Sequence, residues 1–381
     1  MEPIYLDNAA TTRLRPEVRD AMLPLMGETF GNPSSVHRWG RDAKLKLEEA
    51  RARLAAVIGA RPTEIVFTRG GSESDNLAVF GRARLARGGA IACSAIEHRA
   101  VLMAARAAAA EGSPLHILPV DRAGVVNLDS LDEVLDPSFA IVSVMWANNE
   151  VGSVQPIPAL ADRCADAGVA FHTDAVQAFG KLHIRVDEVP VTMLSMSAHK
   201  IGGPKGVGAL YVRKGTKLQP LIHGGGHERG LRAGTEDVAG AVGFAMAAEL
   251  AARERENEAV RLGKLRDRLQ AALVQNVPDL VVNAADAQRL PTILNVSVPG
   301  ASSEALVVML DLEGLAVSSG SACSSGGVSP SHVLTTMGVP PEIAGPSVRF
   351  SLGHETTGEE VDRVAQLFPP LVERLRTMER V

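Results

Sequence analysis

Lys200 stands in Ser197-Ala198-His199-Lys200-Ile201-Gly202-Gly203-Pro204, between one apolar run, Val191 to Met196, and another, Ala209 to Val212. A lysine held in a tight turn between two buried strands is a candidate Schiff-base lysine. Desolvation lowers an ammonium pKa and frees the amine as a nucleophile. Cys323 lies in a run of tiny residues, Ser318 to Gly327, which cannot bury it in a conventional core. Core cysteines are inert, whereas an accessible loop cysteine is a nucleophile candidate. Arg349 sits among apolar neighbours in Val348 to Leu352 and needs an anionic partner, either a carboxylate substrate or a structural Asp or Glu. Arg69-Gly70-Gly71-Ser72 follows a strand-like run, Glu64 to Thr68, and opens a helical one that reaches Leu85. Free N–H groups and the helix dipole there suit a phosphate; an ordinary cap by Ser72 and Asp75 suits the same residues.

Positioning these groups requires a scaffold, and the pattern supplies one. Strand-like runs at Ala90 to Ser94, Leu115 to Val120, Phe139 to Trp146 and Val169 to Thr173 alternate with helical runs at Arg99 to Glu111 and Leu160 to Ala167. Such alternation predicts an α/β fold with a mainly parallel, doubly wound sheet. Ligands of such sheets bind beyond the carboxyl ends of the strands. Ser72, Glu97 with His98, Asn149, Asp174 with Gln177, and Ser197 with Lys200 all fall at those ends. Tyr5 to Thr12, an apolar start followed by small polar residues, reads as a surface arm in preference to an arm lining a site. The glycine-rich stretch His223 to Thr235 carries two arginines and suits either an anion ligand or a flexible surface loop. Val238 to Asn276 reads as one long helical region, with Arg253 to Arg268 facing solvent. The last third predicts strands at Thr292 to Val298 and Leu315 to Ser318, and helices at Ser303 to Leu312 and Glu359 to Arg380.

Composition narrows the function classes. The 381 residues suffice for two domains and a large core. A net charge of -5 without a basic tract is no signature of nucleic-acid binding. Three cysteines, Cys93, Cys164 and Cys323, make no disulfide framework and point to a reducing, cytoplasmic setting. The N-terminus lacks a basic region and an apolar core, so no secretory signal is expected, and no apolar run is long enough to span a membrane.

With these residues in view, the chain resembles the cysteine desulfurase family, NifS/IscS type, which uses pyridoxal phosphate. The matching stretches are Tyr-Leu-Asp-Asn-Ala-Ala-Thr-Thr at 5–12, Gly-Asn-Pro-Ser-Ser at 31–35, Ser-Glu-Ser-Asp-Asn at 72–76, Glu97-His98 and Asn-Asn-Glu at 148–150. They continue with Asp-Ala-Val-Gln at 174–177, Ser-Ala-His-Lys at 197–200, Gly-Pro-Lys-Gly-Val-Gly-Ala-Leu-Tyr at 203–211 and His-Gly-Gly-Gly-His-Glu-Arg-Gly at 223–230. Gly234-Thr235, Ser-Ser-Gly-Ser-Ala-Cys at 318–323 and Arg-Phe-Ser-Leu-Gly at 349–353 complete the series. The resemblance implies the fold type I of pyridoxal-phosphate transferases. A large domain would cover residues 15–255, with a seven-stranded, mainly parallel sheet. Residues 1–14 and 256–381 would form a smaller α+β domain carrying the Cys323 loop.

The same resemblance implies the site. Lys200 would be the Schiff-base lysine and the base for the substrate α-proton. Asp174 would face the pyridine nitrogen, and Gln177 would bond the ring oxygen with Asn149 close by. His98 would stack on the ring and take part in proton transfer. Gly71, Ser72, Ser197 and His199 would hold the phosphate, joined by Thr235 from a second subunit of a homodimer. Arg349, helped by Asn32, would hold the substrate carboxylate, and Cys323 would accept the sulfur as a persulfide. No metal is expected. Partners would be L-cysteine and a sulfur-acceptor protein of iron–sulfur or thio-cofactor biosynthesis. Ser72 departs from the threonine common at its position, and the short tail puts docking of an iron–sulfur scaffold in doubt. An aminotransferase or selenocysteine lyase would share Lys200 and Asp174. Transamination needs no cysteine, so Cys323 separates an aminotransferase from the desulfurase reading. A non-catalytic binding protein would be expected to lack a catalytic residue, and none is missing.

Overall fold

The computed structural model describes residues 3–319 and 330–378. Its centre is a seven-stranded sheet. From one edge to the other the strands are Ile65–Thr68, Gly208–Val212, Met193–Ser197, Phe171–Asp174, Phe139–Ser143, Ala90–Ser94 and Leu115–Leu118. All but Leu115–Leu118 are buried throughout, as near-continuous apolar or small-residue runs require of a sheet covered on both faces. The strands pair in parallel except Gly208–Val212, which is antiparallel to both neighbours. It returns directly from Met193–Ser197, and Lys200 sits in the connection.

A second sheet is four-stranded and antiparallel: Ser318–Ser319, Ser347–Ser351, Ile293–Ser297 and Val281–Val282. Along Ser347–Ser351 the residues alternate. Val348 and Phe350 enter an apolar cluster with Leu294, Val296 and Phe368, while Ser347, Arg349 and Ser351 occupy the other face. The apolar cluster of this sheet is distinct from the large one around Leu54, Phe67, Val142, Leu194 and Phe244.

One helix, Val238–Asn276, serves both cores. Its 39 residues span about 58 Å at ~1.5 Å per residue. Val238, Phe244 and Ala248 pack in the large core, while Leu262, Leu269 and Leu273 pack in the smaller one. The charge-rich stretch from Arg253 to Arg268 is therefore not wholly solvent-facing, because Leu262 is buried within it. That stripe is hidden in the sequence by the charged residues that surround it.

Candidate functional site

The short turn Ala198–Lys200 follows directly on the strand Met193–Ser197. Lys200 Nζ donates to the carbonyls of Ala9 at 2.5 Å and Ala10 at 2.7 Å. Tyr5 to Thr12 is thus not the surface arm its composition suggested. Leu6 and Ala9 are buried, and Ala9 N donates to Ser351 Oγ at 2.9 Å. Thr12 Oγ1 donates to the His199 carbonyl at 2.8 Å and accepts from Gly202 N at 2.7 Å. The segment threads between the two sheets. Its small polar residues read as exposed because their partners lie some 190 positions away. A cleft of about 1120 Å³ opens along it, with Asn8, Thr11, Lys181 and Lys200 in its wall.

Asp174 ends the strand Phe171–Asp174, and its Oδ1 accepts from Val176 N at 2.9 Å. His98 caps the helix Arg99–Ala110, its Nδ1 accepting from Ala100 N at 3.1 Å, which leaves the ring proton on Nε2. Asp75, His98 and Asp174 bring polar atoms within 4.8 Å of one another. Burial raises the pKa of Asp174, opposed by His98 and Lys200. Burial, then Asp174 itself, holds the Asp75 carboxyl well above the usual range. His98 is lowered by burial, with Asp174 pulling the other way. A buried carboxylate made more basic is suited to keep a proton on a facing ring nitrogen.

The helix Gly71–Ala86 begins after Gly70, whose φ of 144° an L side chain rarely adopts. A Cβ at Gly71 would lie 2.7 Å from Val176 Cγ2, and one at Gly208 would lie 2.6 Å from the Met196 carbonyl oxygen. The turn is therefore packed at glycine spacing against the Asp174 and Lys200 segments. The buried Ser197 hydroxyl has no hydrogen-bond partner among the described residues, and it lies 4.0 Å from where a Gly70 Cβ would be. His199 Nδ1 meets Thr11 Oγ1 at 3.1 Å, and burial followed by Lys200 lowers its pKa to about 4, so the ring is neutral. An orphaned hydroxyl, a helix N-terminus of a sixteen-residue helix and a neutral imidazole fit a phosphate group.

Arg349 is buried. Its Nη2 donates to Asp7 at 2.8 Å and its Nη1 to the Asn149 carbonyl at 2.9 Å, while its buried Nε has no partner among the described residues. The anionic partner demanded by the sequence is therefore present as Asp7, with donor capacity remaining for a carboxylate. Glu150, next to Asn149, accepts from Ser331 Oγ, and burial raises its pKa to about 7.

The structure gathers Lys200, His98, Asp174, Gln177, Gly71, Ser197 and His199 around the carboxyl ends of the large sheet, with Asn149 and Arg349 joined beside them. Ser72 lines a neighbouring cavity of about 330 Å³. Asn32 is exposed, and its contacts are local: its Oδ1 accepts from Ser34 N at 2.9 Å. Thr235 is exposed as well. Cys323 lies outside the described residues. Cys93 and Cys164 are buried, and burial pushes both thiols up, Cys164 to about 12, which makes them poor nucleophiles.

Sequence reasoning missed Asp7, the Ala9 and Ala10 carbonyls, and Lys181. Asp7 could have been found only by asking which carboxylate could pair with Arg349. The carbonyls leave no trace in residue type. Lys181 was overlooked although it stands only four residues beyond Gln177.

A fold with this lysine, aspartate and anion cradle at one rim matches the aminotransferase class-V model over residues 4–364, and the chain belongs to that family. Its fold is that of fold type I pyridoxal-phosphate enzymes. It is 46% identical over 377 residues to a cysteine desulfurase IscS from Dictyoglomus turgidum, covering 98% of this chain and 96% of that protein. It is 44% identical over 381 residues to the cysteine desulfurase NifS of Azotobacter vinelandii, covering 99% and 94%. A solved NifS-like protein superposes with a TM-score of 0.90 at 37% identity, covering 99% of both chains. A structure titled SspA in complex with cysteine superposes with a TM-score of 0.81 at 35% identity, covering 92% of this chain and 98% of that one.

Proposed function

We propose that this chain is a cysteine desulfurase that takes sulfur from L-cysteine, releases L-alanine and leaves a persulfide on Cys323. The observation that carries the reading is the convergence of Lys200, His98, Asp174 and the Ser197 cradle on one rim, with Arg349 alongside. Further support comes from relatives named cysteine desulfurase and from the cysteine complex of a similar structure.

Bound pyridoxal phosphate would supply an electron sink for the carbanion at the substrate α-carbon. Asp174 would hold the ring nitrogen, with His98 against the ring. Gln177 would bond the ring oxygen with Asn149 close by. Gly71, Ser72, Ser197 and His199 would hold the phosphate. Lys200 moves the α-proton, and Arg349 orients the substrate carboxylate, with Asn32 as a second donor. The Cys323 thiolate attacks the substrate sulfur. The carbon–sulfur bond breaks as the sulfur–sulfur bond forms, and the carbon takes up a proton to become alanine. The spacing of Asp75, His98 and Asp174 would also admit a metal. In this reading His98 and Asp174 serve the organic cofactor instead.

Two domains belong to the reading, residues 15–255 and residues 1–14 with 256–381. So does a homodimer in which Thr235 reaches the partner's phosphate site. The exposed Met26, Phe30, Val36 and Trp39 support such an interface. Light scattering that gave a monomer mass at assay concentration would remove that element. A sulfur acceptor of iron–sulfur or thio-cofactor biosynthesis and a cytoplasmic setting complete it. Among the described residues no helix is long and apolar enough to cross a membrane. The test is the yield of alanine from L-cysteine by the holoenzyme. Pyruvate or another oxo-acid in place of alanine would overturn the reaction assignment.

A further inference from the structure

Lys181 has no part in the chemistry above, yet it lies four residues from Gln177 and within the same cleft as Lys200. Its Nζ donates to Gln177 Oε1 at 3.1 Å, and Gln177 Nε2 donates to the Ala9 carbonyl at 2.8 Å. That carbonyl also accepts from Lys200 Nζ.

This chain of contacts has only one sense. An ammonium can donate and never accept, and a carbonyl can accept and never donate. The Gln177 amide is therefore fixed with its oxygen toward Lys181 and its NH₂ toward Ala9. An amide usually leaves its orientation ambiguous, and here both ends are dictated by partners of a single polarity. One hydrogen of the NH₂ is used by Ala9, and the second is a donor. The Ala9 carbonyl already disfavours the turned-over amide, and Lys181 adds to that preference by supplying the donor that the Gln177 oxygen would otherwise lack.

The charge around Gln177 has the matching sign. Lys200 approaches from the turn after Met193–Ser197 and Arg349 from the strand Ser347–Ser351. Burial first, then these two cations, brings the Lys181 ammonium down to about 7. Of the carboxylates lining the cleft, Glu254 and Glu17 pair with Arg15, Glu258 with Arg261 and His354, and Glu355 with Arg13, while Glu360 accepts from Thr357 N and Asp311 also lines the cleft. His183, beyond Leu182, is in contact with Arg255.

We infer that Lys181 is a positioning residue that, in its ammonium form, joins the Ala9 carbonyl in fixing Gln177 as a hydrogen-bond donor, so that the site selects an anionic ring oxygen at that point. The inference rests on the pyridoxal-phosphate reading of the site. It concerns a residue that touches Gln177 rather than substrate.

The test compares wild type with Lys181→Met, which keeps length and loses the donor, and Lys181→Arg, which keeps donor and charge. Circular dichroism checks that each variant is folded, and pyridoxal phosphate is titrated into the apoproteins. Losing one hydrogen bond to an ionic donor predicts that Lys181→Met raises the cofactor Kd about five- to tenfold. The visible absorbance of bound cofactor with an ionised ring oxygen should fall as a share of the total. Lys181→Arg should return both to within about twofold of wild type. Wild-type affinity and spectrum in folded Lys181→Met would overturn the role of Lys181 alone. So would an equal loss in Lys181→Arg, which would mark a packing effect. A wild-type chain that binds no pyridoxal phosphate would overturn the site reading itself, and this inference with it.

Discussion

The two sheets supply the site in different ways. The large sheet presents its groups where strands end: Asp174 closes one strand, Ser197 closes another, and Lys200 follows it in a turn. The small antiparallel sheet presents Arg349 from the middle of a strand, opposite Asn295 and Ser318 in register. An end-of-strand group is free to meet a ligand. A mid-strand arginine must be neutralised within the fold, and Asp7 does this from the N-terminal segment. The first arrangement makes chemistry out of topology, whereas the second makes it out of a buried ion pair. The N-terminal segment connects them, since Asp7 holds Arg349 while Ala9 and Ala10 hold Lys200.

The comparison can be broken most sharply on the large-sheet side. Lys200→Ala removes the group that moves the α-proton, so alanine formation should fall about a hundred- to ten-thousand-fold with the fold retained by circular dichroism. A variant with near wild-type turnover would place the chemistry elsewhere. On the small-sheet side, Arg349→Ala should act mainly on KM for L-cysteine, about ten- to a hundredfold, from the loss of hydrogen bonds to a charged group. If kcat alone fell, Arg349 would not be holding the carboxylate.

A smaller effect sharpens the junction between the sheets. Buried Glu150 sits between the Asn149 carbonyl, which anchors Arg349, and Ser331. Its pKa is raised to about 7 from an ordinary 4.5, so the folded chain binds its proton more tightly than the unfolded chain. The stabilisation is full below the unfolded pKa and is lost as pH rises through about 7. Glu150→Gln has no such proton to lose. Its Tm relative to wild type should therefore be higher by a few degrees at about pH 8.5 than at about pH 5. A Tm difference independent of pH would show that Glu150 is not buried as its geometry indicates.

The large sheet was legible because its alternation of apolar runs and helices is local, and because polar residues after such runs fall at one rim. Strand ends moved by one to three residues; the strand read as Val169 to Thr173 is Phe171–Asp174, and the one read as Phe139 to Trp146 ends at Ser143. The antiparallel course of Gly208–Val212 was not legible, since a short turn and a buried strand read alike in either direction. The Tyr5 to Thr12 segment was misread because small polar residues look exposed until their distant partners are known. Lys181 was missed for a related reason. Its meaning lies in a hydrogen bond to Gln177, and nothing in a Gly-Lys-Leu stretch signals that bond. Asn32, Thr235 and Cys323 rest on the family resemblance.

The central claim is that Lys200, at the rim of the large sheet, and Cys323 act on a single substrate. The direct measurement supplies holoenzyme with L-cysteine and a reductant and quantifies alanine and sulfide together, for wild type and Cys323→Ser. Matched alanine and sulfide from wild type, both lost in the variant, are the predicted result. An oxo-acid product that persists in Cys323→Ser would contradict the account and leave the fold in the service of another reaction.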